Sequence, residues 1–446
     1  MKFLILSITL VVSLTTTAQQ SAREEIAANP YLSASNYLDY DHHPATKSLT
    51  PAPKGYEPFY MSHYGRHGSR WLIGRHDYSR VVEVFEKGER DGKLTREGQE
   101  TLAKLRRFMP TTIKRHGDLT AVGERQHHGI GKRMVENFPE IFKAKNIPID
   151  ARSTVVPRCI LSMMAECEEF AAANPTARIH NDVSESLQYY LNQPWDEKLK
   201  EHSKRVGHRE KRAYKERETK PDRLMRALFN DQQWVVDSLD AVEVVYDLFA
   251  VAANMQSHDT DIDLLSLYTP DEQYGQWRIR NWGWYLNYGA APQTGGIMPF
   301  SQRNLLRNII ETTDTVFGFN EQQPYQKALE AQRVAKANTQ ATLRFGHEVC
   351  VMPLACLMEL DSCGISVANP DSLDRYWRNY NIFPMACNIQ IVFYRQKKNE
   401  GGDVLVKVML NERETHLPVY TEQWPYYRWS DLRNYYLEKL NRYEKE

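Results

Sequence analysis

A short apolar run ending in a glycine-punctuated cluster of cations limits this chain more than any other feature. Glu57-Pro58-Phe59-Tyr60-Met61-Ser62 reads as a short buried strand, and Gly65 closes it just before Arg66-His67-Gly68-Ser69-Arg70. If the backbone turns helically after Gly65, Arg66 and Arg70 fall on one face with His67 beside them. Each guanidinium is a permanently charged planar fork that can pair with two phosphate oxygens, and a neutral imidazole nitrogen can attack the phosphorus so held. Gly65 and Gly68 let the backbone approach an anion closely. One arginine pair of this kind equally suits surface ion pairing, so the distant segments below carry the weight.

At 446 residues the chain fits one large domain or two unequal ones. Lys+Arg and Asp+Glu stand at 57 each, so no global field draws in nucleic acid or an anionic membrane, and any attraction for anions is local. Met1-Lys2, the apolar run Phe3 to Leu14 and the small residues up to Ala18 read as a secretory signal peptide over residues 1–18. No cysteine lies near that junction and no later apolar run reaches the roughly 18 residues of a membrane helix, so an exported product without a membrane anchor is expected, periplasmic or secreted. Six cysteines are too sparse to define the fold. Cys159 and Cys167, if they share a helix, stand about 12 Å apart and cannot bond to each other, so buried thiols compete with disulfides.

Residues 19–55 are turn-rich with little periodicity, and His42-His43 reads as a solvated pair. Asp77 to Phe85 and Thr95 to Phe108 carry helical spacing, and Thr120 caps a helix that runs towards Phe138. Ile147 to Ala151 is a strand that delivers Arg152-Ser153-Thr154 at its end, followed by a helix from Arg158 to Ala172. From 185 to 300 the character changes. Asp196 to Arg223 is a densely charged helical face, Trp234 to Ala253 is apolar at helical spacing, and Tyr274 to Tyr288 is crowded with aromatics suited to a core. This is a helical insertion between two parts of an α/β core, 19–184 and 301–446. In the second part Thr342 to Gly346 is a strand, and His347-Glu348 opens a nearly all-apolar helix whose N-terminus welcomes a phosphate. Asn388 to Tyr394 and Val404 to Leu410 form a hairpin around Gly401-Gly402, and Ser430 caps a last helix.

Arg66-His67-Gly68-Ser69-Arg70 resembles the signature of the histidine phosphatases, and Leu119-Thr120 with Gly123 resembles the segment that starts a helix in that family. Arg152-Ser153-Thr154 is similar to the segment that supplies the histidine acid phosphatases with a third phosphate-binding arginine. Phe345-Gly346-His347-Glu348 resembles their second signature, which is His-Asp in most branches and His-Ala-Glu in the multiple inositol polyphosphate phosphatases. Pro384 to Gln390 and Leu410 to Arg413 look like the closing segments. Two departures stand out: Leu72 replaces a usual proline, and the acid directly follows His347.

The resemblance implies a phosphoglycerate-mutase-like mixed sheet flanked by helices, with a mainly α-helical insertion. It implies that His67 attacks phosphorus to form a phosphohistidine, that Arg66, Arg70, Arg152 and His347 hold the phosphate oxygens, and that Glu348 protonates the leaving alkoxide. No metal or other cofactor is required. The implied substrates are small phosphomonoesters, inositol polyphosphates such as phytate first, with sugar phosphates as the alternative. A phosphoglycerate-mutase-like enzyme and a catalytically weak phosphate binder are the rivals.

Overall fold

The computed structural model describes residues 20–42, 48–192, 197–317, 340–397 and 403–445; the expected signal peptide, His43 and the Gly401-Gly402 turn lie outside them. Among the described residues eight strands form one mixed sheet: β1 (Tyr56–Arg66), β2 (Pro148–Ser153), β3 (Arg178–Asp182), β4 (Ala341–Gly346), β5 (Asn388–Gln396), β6 (Leu405–Leu410), β7 (Arg413–Glu414) and β8 (Tyr427–Arg428). Their order is β3-β2-β4-β1-β5-β6-β7, with β8 also paired to β6. The first four in that order are parallel, and β5 runs antiparallel to β1.

The longer helices are α1 (Ser79–Arg90), α2 (Arg96–Phe108), α3 (Ala121–Asn137), α4 (Pro157–Ala173), α5 (Glu197–Glu218), α6 (Ala241–Asn254), α7 (Pro270–Tyr288), α8 (Arg303–Val316), α9 (Glu348–Leu357) and α10 (Trp429–Lys445). Strand alternation divides the sheet's side chains between two faces. Met61, Ile149, Leu343, Phe345 and Val392 meet Ile130 and Met134 of α3 and Met163 and Phe170 of α4. On the other face Tyr60, Tyr64, Ile391 and Val408 meet Leu305 of α8, Val351 and Leu354 of α9 and Tyr436 of α10, with Trp282 and Tyr285 of α7 behind them. Full burial of one such side chain is worth about 1.5–3 kcal/mol, so two apolar faces of this size hold the three layers together.

Between β3 and β4 the described residues form helices and turns without a strand. They do not stand alone: Leu224, Leu228, Leu248, Phe249 and Tyr268 share one core with Val81 and Phe85 of α1 and Leu102 and Leu105 of α2. The aromatic residues Trp277, Trp282 and Tyr285 are buried, as their crowding suggested. All six cysteines are buried and unpaired. No described helix is long and apolar enough to cross a membrane.

Three local expectations fail, each because tertiary pairing overrides local signals. β1 does not stop at Ser62; pairing with β4 and β5 carries it through Gly65, where the His63 ring fills the space a Cβ would need, to Arg66. No helical turn therefore places Arg66 and Arg70 on one face, and Arg70 instead pairs in a bridge with Leu119. Ser430 lies inside α10 and does not cap it, because the Trp429 amide is bonded to Val404 carbonyl oxygen.

Candidate active site

The parallel strands β1, β4 and β2 end in step, with Arg66 opposite Gly346 and Ser153 opposite Phe345. The residues that follow them meet at the carboxyl edge of the sheet, where open α/β sheets bind ligands. His67 donates its amide to Gly346 carbonyl oxygen at 2.9 Å, and Thr154 donates to Phe345 at 3.0 Å. His347 then caps α9, and Glu348 opens it. Arg66, His67 and Arg70, distant in sequence from His347 and Glu348, thereby converge on one buried point.

At that point the His67 ring is fully buried and its Nδ1 lies 2.8 Å from Gly68 carbonyl oxygen. A carbonyl only accepts, so Nδ1 carries the proton and the lone pair is on Nε2. Burial holds the imidazole well below its usual 6.5, with the neighbouring Glu348 opposing and Arg158 and Arg66 adding to the depression. The ring is neutral. Glu348 approaches His67 Nε2 at 3.5 Å, Arg66 Nε at 3.2 Å and Arg70 at 3.6 Å. Burial pushes its carboxyl up, but Arg66, His67 and Arg70 outweigh burial and hold it well below the usual carboxylate range. His347 is depressed to about 4 by burial and by Arg158.

The Arg66 NH1 group is anchored by the carbonyl oxygens of Asn36, Phe383 and Pro384 at 2.7–3.1 Å. Its Nε and NH2, Arg70 Nε, Arg158 Nε and His67 Nε2 are all buried without a hydrogen-bond partner. Buried polar groups without hydrogen bonds are costly, and Arg66 and Arg70 of this set face the Glu348 carboxylate, so they fit an oxyanion ligand. His67, His347 and Glu348 also offer three atoms within 4.8 Å of one another, a spacing open to a metal ion. Three guanidinium groups beside them repel a dication and favour an anion.

Arg152 is not brought into this cluster. Its guanidinium is engaged by Asp150 at 2.6 and 2.9 Å and by the Tyr190 hydroxyl at 2.8 Å. The third arginine at the site is Arg158, 3.5 Å from His347 Nδ1. The signal for it was available: Pro157 at the first position of a helix that follows a strand marks an anion-binding terminus, and Arg158 is the next residue. Sequence reasoning also passed over Asn36, Tyr37 and Gln126. Tyr37 lies under Arg70, with 5.4 Å between the guanidinium carbon and the ring centre. Replacing Arg158 by Met is expected to cut phosphate-ester turnover about 10²-fold with little change in Tm. Replacing Arg152 by Met strands the buried Asp150 carboxylate, and is expected to cost about 3 kcal/mol or more in urea unfolding instead.

A family model for the histidine phosphatase superfamily (branch 2) matches residues 66–411, spanning both halves of the cluster. The chain belongs to that superfamily. Solved structures agree on the fold. The multiple inositol polyphosphate phosphatase of Bifidobacterium longum, in complex with phosphate, superposes with a TM-score of 0.66 at 18% identity over 92% of this chain and 98% of its own. The phytase from D. castellii gives 0.64 at 14% identity over 96% and 88%. Hafnia alvei phytase gives 0.54 at 11% identity over 87% and 98%. No curated protein matches this histidine phosphatase.

Proposed function

We propose that this histidine phosphatase is an exported phosphomonoesterase that removes phosphates from inositol polyphosphates through a phosphohistidine at His67. The observation that carries the chemistry is the Nε2 lone pair of His67, fixed by Gly68 and gathered around Glu348 with Arg66 and Arg70, whose Nε groups make no hydrogen bond. His67 Nε2 attacks phosphorus as the ester P–O bond breaks, and the leaving alkoxide takes a proton from Glu348. Water then attacks the phosphohistidine, giving its proton to Glu348, and the P–N bond breaks to release orthophosphate. Arg66, Arg70, Arg158 and His347 stabilise the oxygens of the transferring group.

The substrate class is supported by a cavity of about 720 Å³ lined by Lys211, Arg212 and Lys215 of α5 and by Arg280, Trp284 and Tyr288 of α7, with Glu243 as its one carboxylate. The ring of Trp284, which lines the cavity, packs on Phe383 at 5.0 Å, and the Phe383 carbonyl oxygen accepts from Arg66 at 3.1 Å, so this wall of the cavity backs onto the cluster. A polyphosphorylated ring needs cations beyond those on the scissile group; α5 supplies Lys211, which bonds Asn287, with Lys215 paired to Glu243 and Arg212 to Glu216, so a ligand here would draw on Lys211 first and compete for the other two. Arg75 and His76 are exposed, while Arg80 is tied to Asp77 at 2.7 Å. The Bifidobacterium longum enzyme is also known in complex with inositol hexasulfate, and the Hafnia alvei phytase with myo-inositol hexakis sulphate. Export is supported by the apolar run Phe3 to Leu14.

Successive release of lower inositol phosphates from phytate, undiminished by excess chelator, is the expected result. Because the outlying cations are screened over roughly 8 Å at physiological salt, added salt is expected to raise KM for phytate more than for para-nitrophenyl phosphate. Changing Lys211 and Lys215 together to Met is expected to raise KM for phytate about tenfold and leave the simple ester within about twofold. Brisk release from simple esters with none from phytate would move the assignment to a broad-specificity phosphatase.

A further inference from the structure

We infer that Gln126 is a positioning residue for the phosphate-transfer site, acting on Arg70 through Ser69; this deepens the phosphatase reading above and rests on it. Gly68 and Ser69 join the nucleophile to Arg70 and have no helix or strand hydrogen bonding of their own. Their conformation is set from outside. α3 approaches so closely that a Cβ on Gly68 would lie 2.3 Å from Gly123 carbonyl oxygen, and one on Gly123 would lie 2.3 Å from Ser69 carbonyl oxygen. The capping Thr120 donates its amide and hydroxyl to Ser69 carbonyl oxygen at 2.9 and 3.0 Å. Ser162 of α4 accepts the Gly68 amide at 3.1 Å, and Asn254 donates to Arg70 carbonyl oxygen at 3.0 Å.

Gln126 does something the other clamps do not. Only 3% exposed, it accepts the Ser69 amide on Oε1 at 2.9 Å, while Nε2 donates both to Ser69 Oγ at 2.9 Å and to Asp39 Oδ1. Asp39 closes a strap whose residue Asn36 anchors Arg66 and whose Tyr37 underlies Arg70. One side-chain amide therefore ties the turn carrying Arg70 to the strap that backs both signature arginines. A guanidinium rigidly aimed at the equatorial oxygens of a pentacoordinate phosphorus stabilises that geometry more than the tetrahedral ground state, so loose support should cost turnover before it costs binding.

Gln126→Met keeps the volume and removes all three bonds. On para-nitrophenyl phosphate it is expected to lower kcat roughly 10–100-fold with KM changed less than about threefold. Affinity for orthovanadate, which takes up the pentacoordinate geometry, should fall by a similar factor, and affinity for orthophosphate much less. Gln126→Glu adds a readout that a purely structural role would not move. A protonated carboxyl can donate to Asp39 as the amide does, whereas the ionised form cannot and repels it. The Glu variant should therefore regain activity relative to the Met variant as pH falls, since both face the same Asp39, with Asp41, His42 and Arg125 around it. A Met variant with ordinary kcat and vanadate affinity, or a Glu variant that tracks it at every pH, overturns the role of Gln126 while the enzyme reading stands. A wild-type chain that releases no phosphate overturns the reading itself.

Discussion

His67→Ala is expected to lose essentially all turnover, by about 10⁴-fold or more, while unfolding within a few degrees of wild type. The asymmetry follows from the site. On the proposed mechanism Nε2 of the imidazole is the nucleophile, yet it makes no hydrogen bond, so removing it deletes a buried polar atom whose desolvation is uncompensated. Wild type briefly mixed with radiolabelled ester and quenched in alkali should carry label on His67, since a phosphoramidate survives base and is lost in acid; the Ala variant should carry none. Burial keeps the ring unprotonated well below its usual 6.5, so turnover should persist as pH falls through that value. An acid limb with an ordinary histidine titration, or near-normal phosphate release by the Ala variant, would remove His67 from the covalent step.

How much of this site the sequence carried depended on where strands end. Arg66-His67 and His347-Glu348 were legible because each follows an apolar run that becomes a buried central strand, and the edge where parallel strands stop is fixed by their shared register. Arg152 misled for the same reason. Read as the first residue after a strand ending at Ala151, it would stand at the edge; in fact β2 continues to Ser153, so Arg152 shares a strand face with Asp150 two residues earlier and pairs with it. Arg158 returns to the edge from the start of α4. The 30–42 strap was illegible by periodicity, because its short 3-10 turns are held by distant partners. Asn379 bonds Ser35, which lies at φ 61°, and Met385 bonds Leu38 carbonyl oxygen. Residues 185–300 were readable as helices but not in their packing, since α1 and α2 lend Val81, Val82, Phe85, Leu102, Leu105 and Phe108 to the core those helices enclose.

Glu348→Gln should separate the two halves of the reaction. In the free protein the carboxylate lies where the arginines point, 3.2 Å from Arg66 and 3.6 Å from Arg70, and they keep it ionised despite its burial. On the proposed mechanism, a phosphate that enters draws those guanidinium groups onto its own oxygens. Its negative charge would then replace their field and raise the carboxyl's affinity for a proton, so the proposed donor would be charged by the arrival of its substrate. An alkoxide leaves poorly without that proton, whereas para-nitrophenolate scarcely needs it. Phosphorylation of the Gln variant by an alkyl phosphate should therefore slow by roughly 10²–10⁴-fold, and by para-nitrophenyl phosphate much less. The proposed second step uses the same carboxylate as a base in either case. The Gln variant should give a burst of para-nitrophenol equal to the enzyme present, followed by slow turnover as phosphoenzyme accumulates, and no burst with the alkyl ester. Equal slowing of phosphorylation by both esters, with no burst from either, would assign the proton to a different group and leave Glu348 as the counter-ion that keeps Arg66 and Arg70 in place.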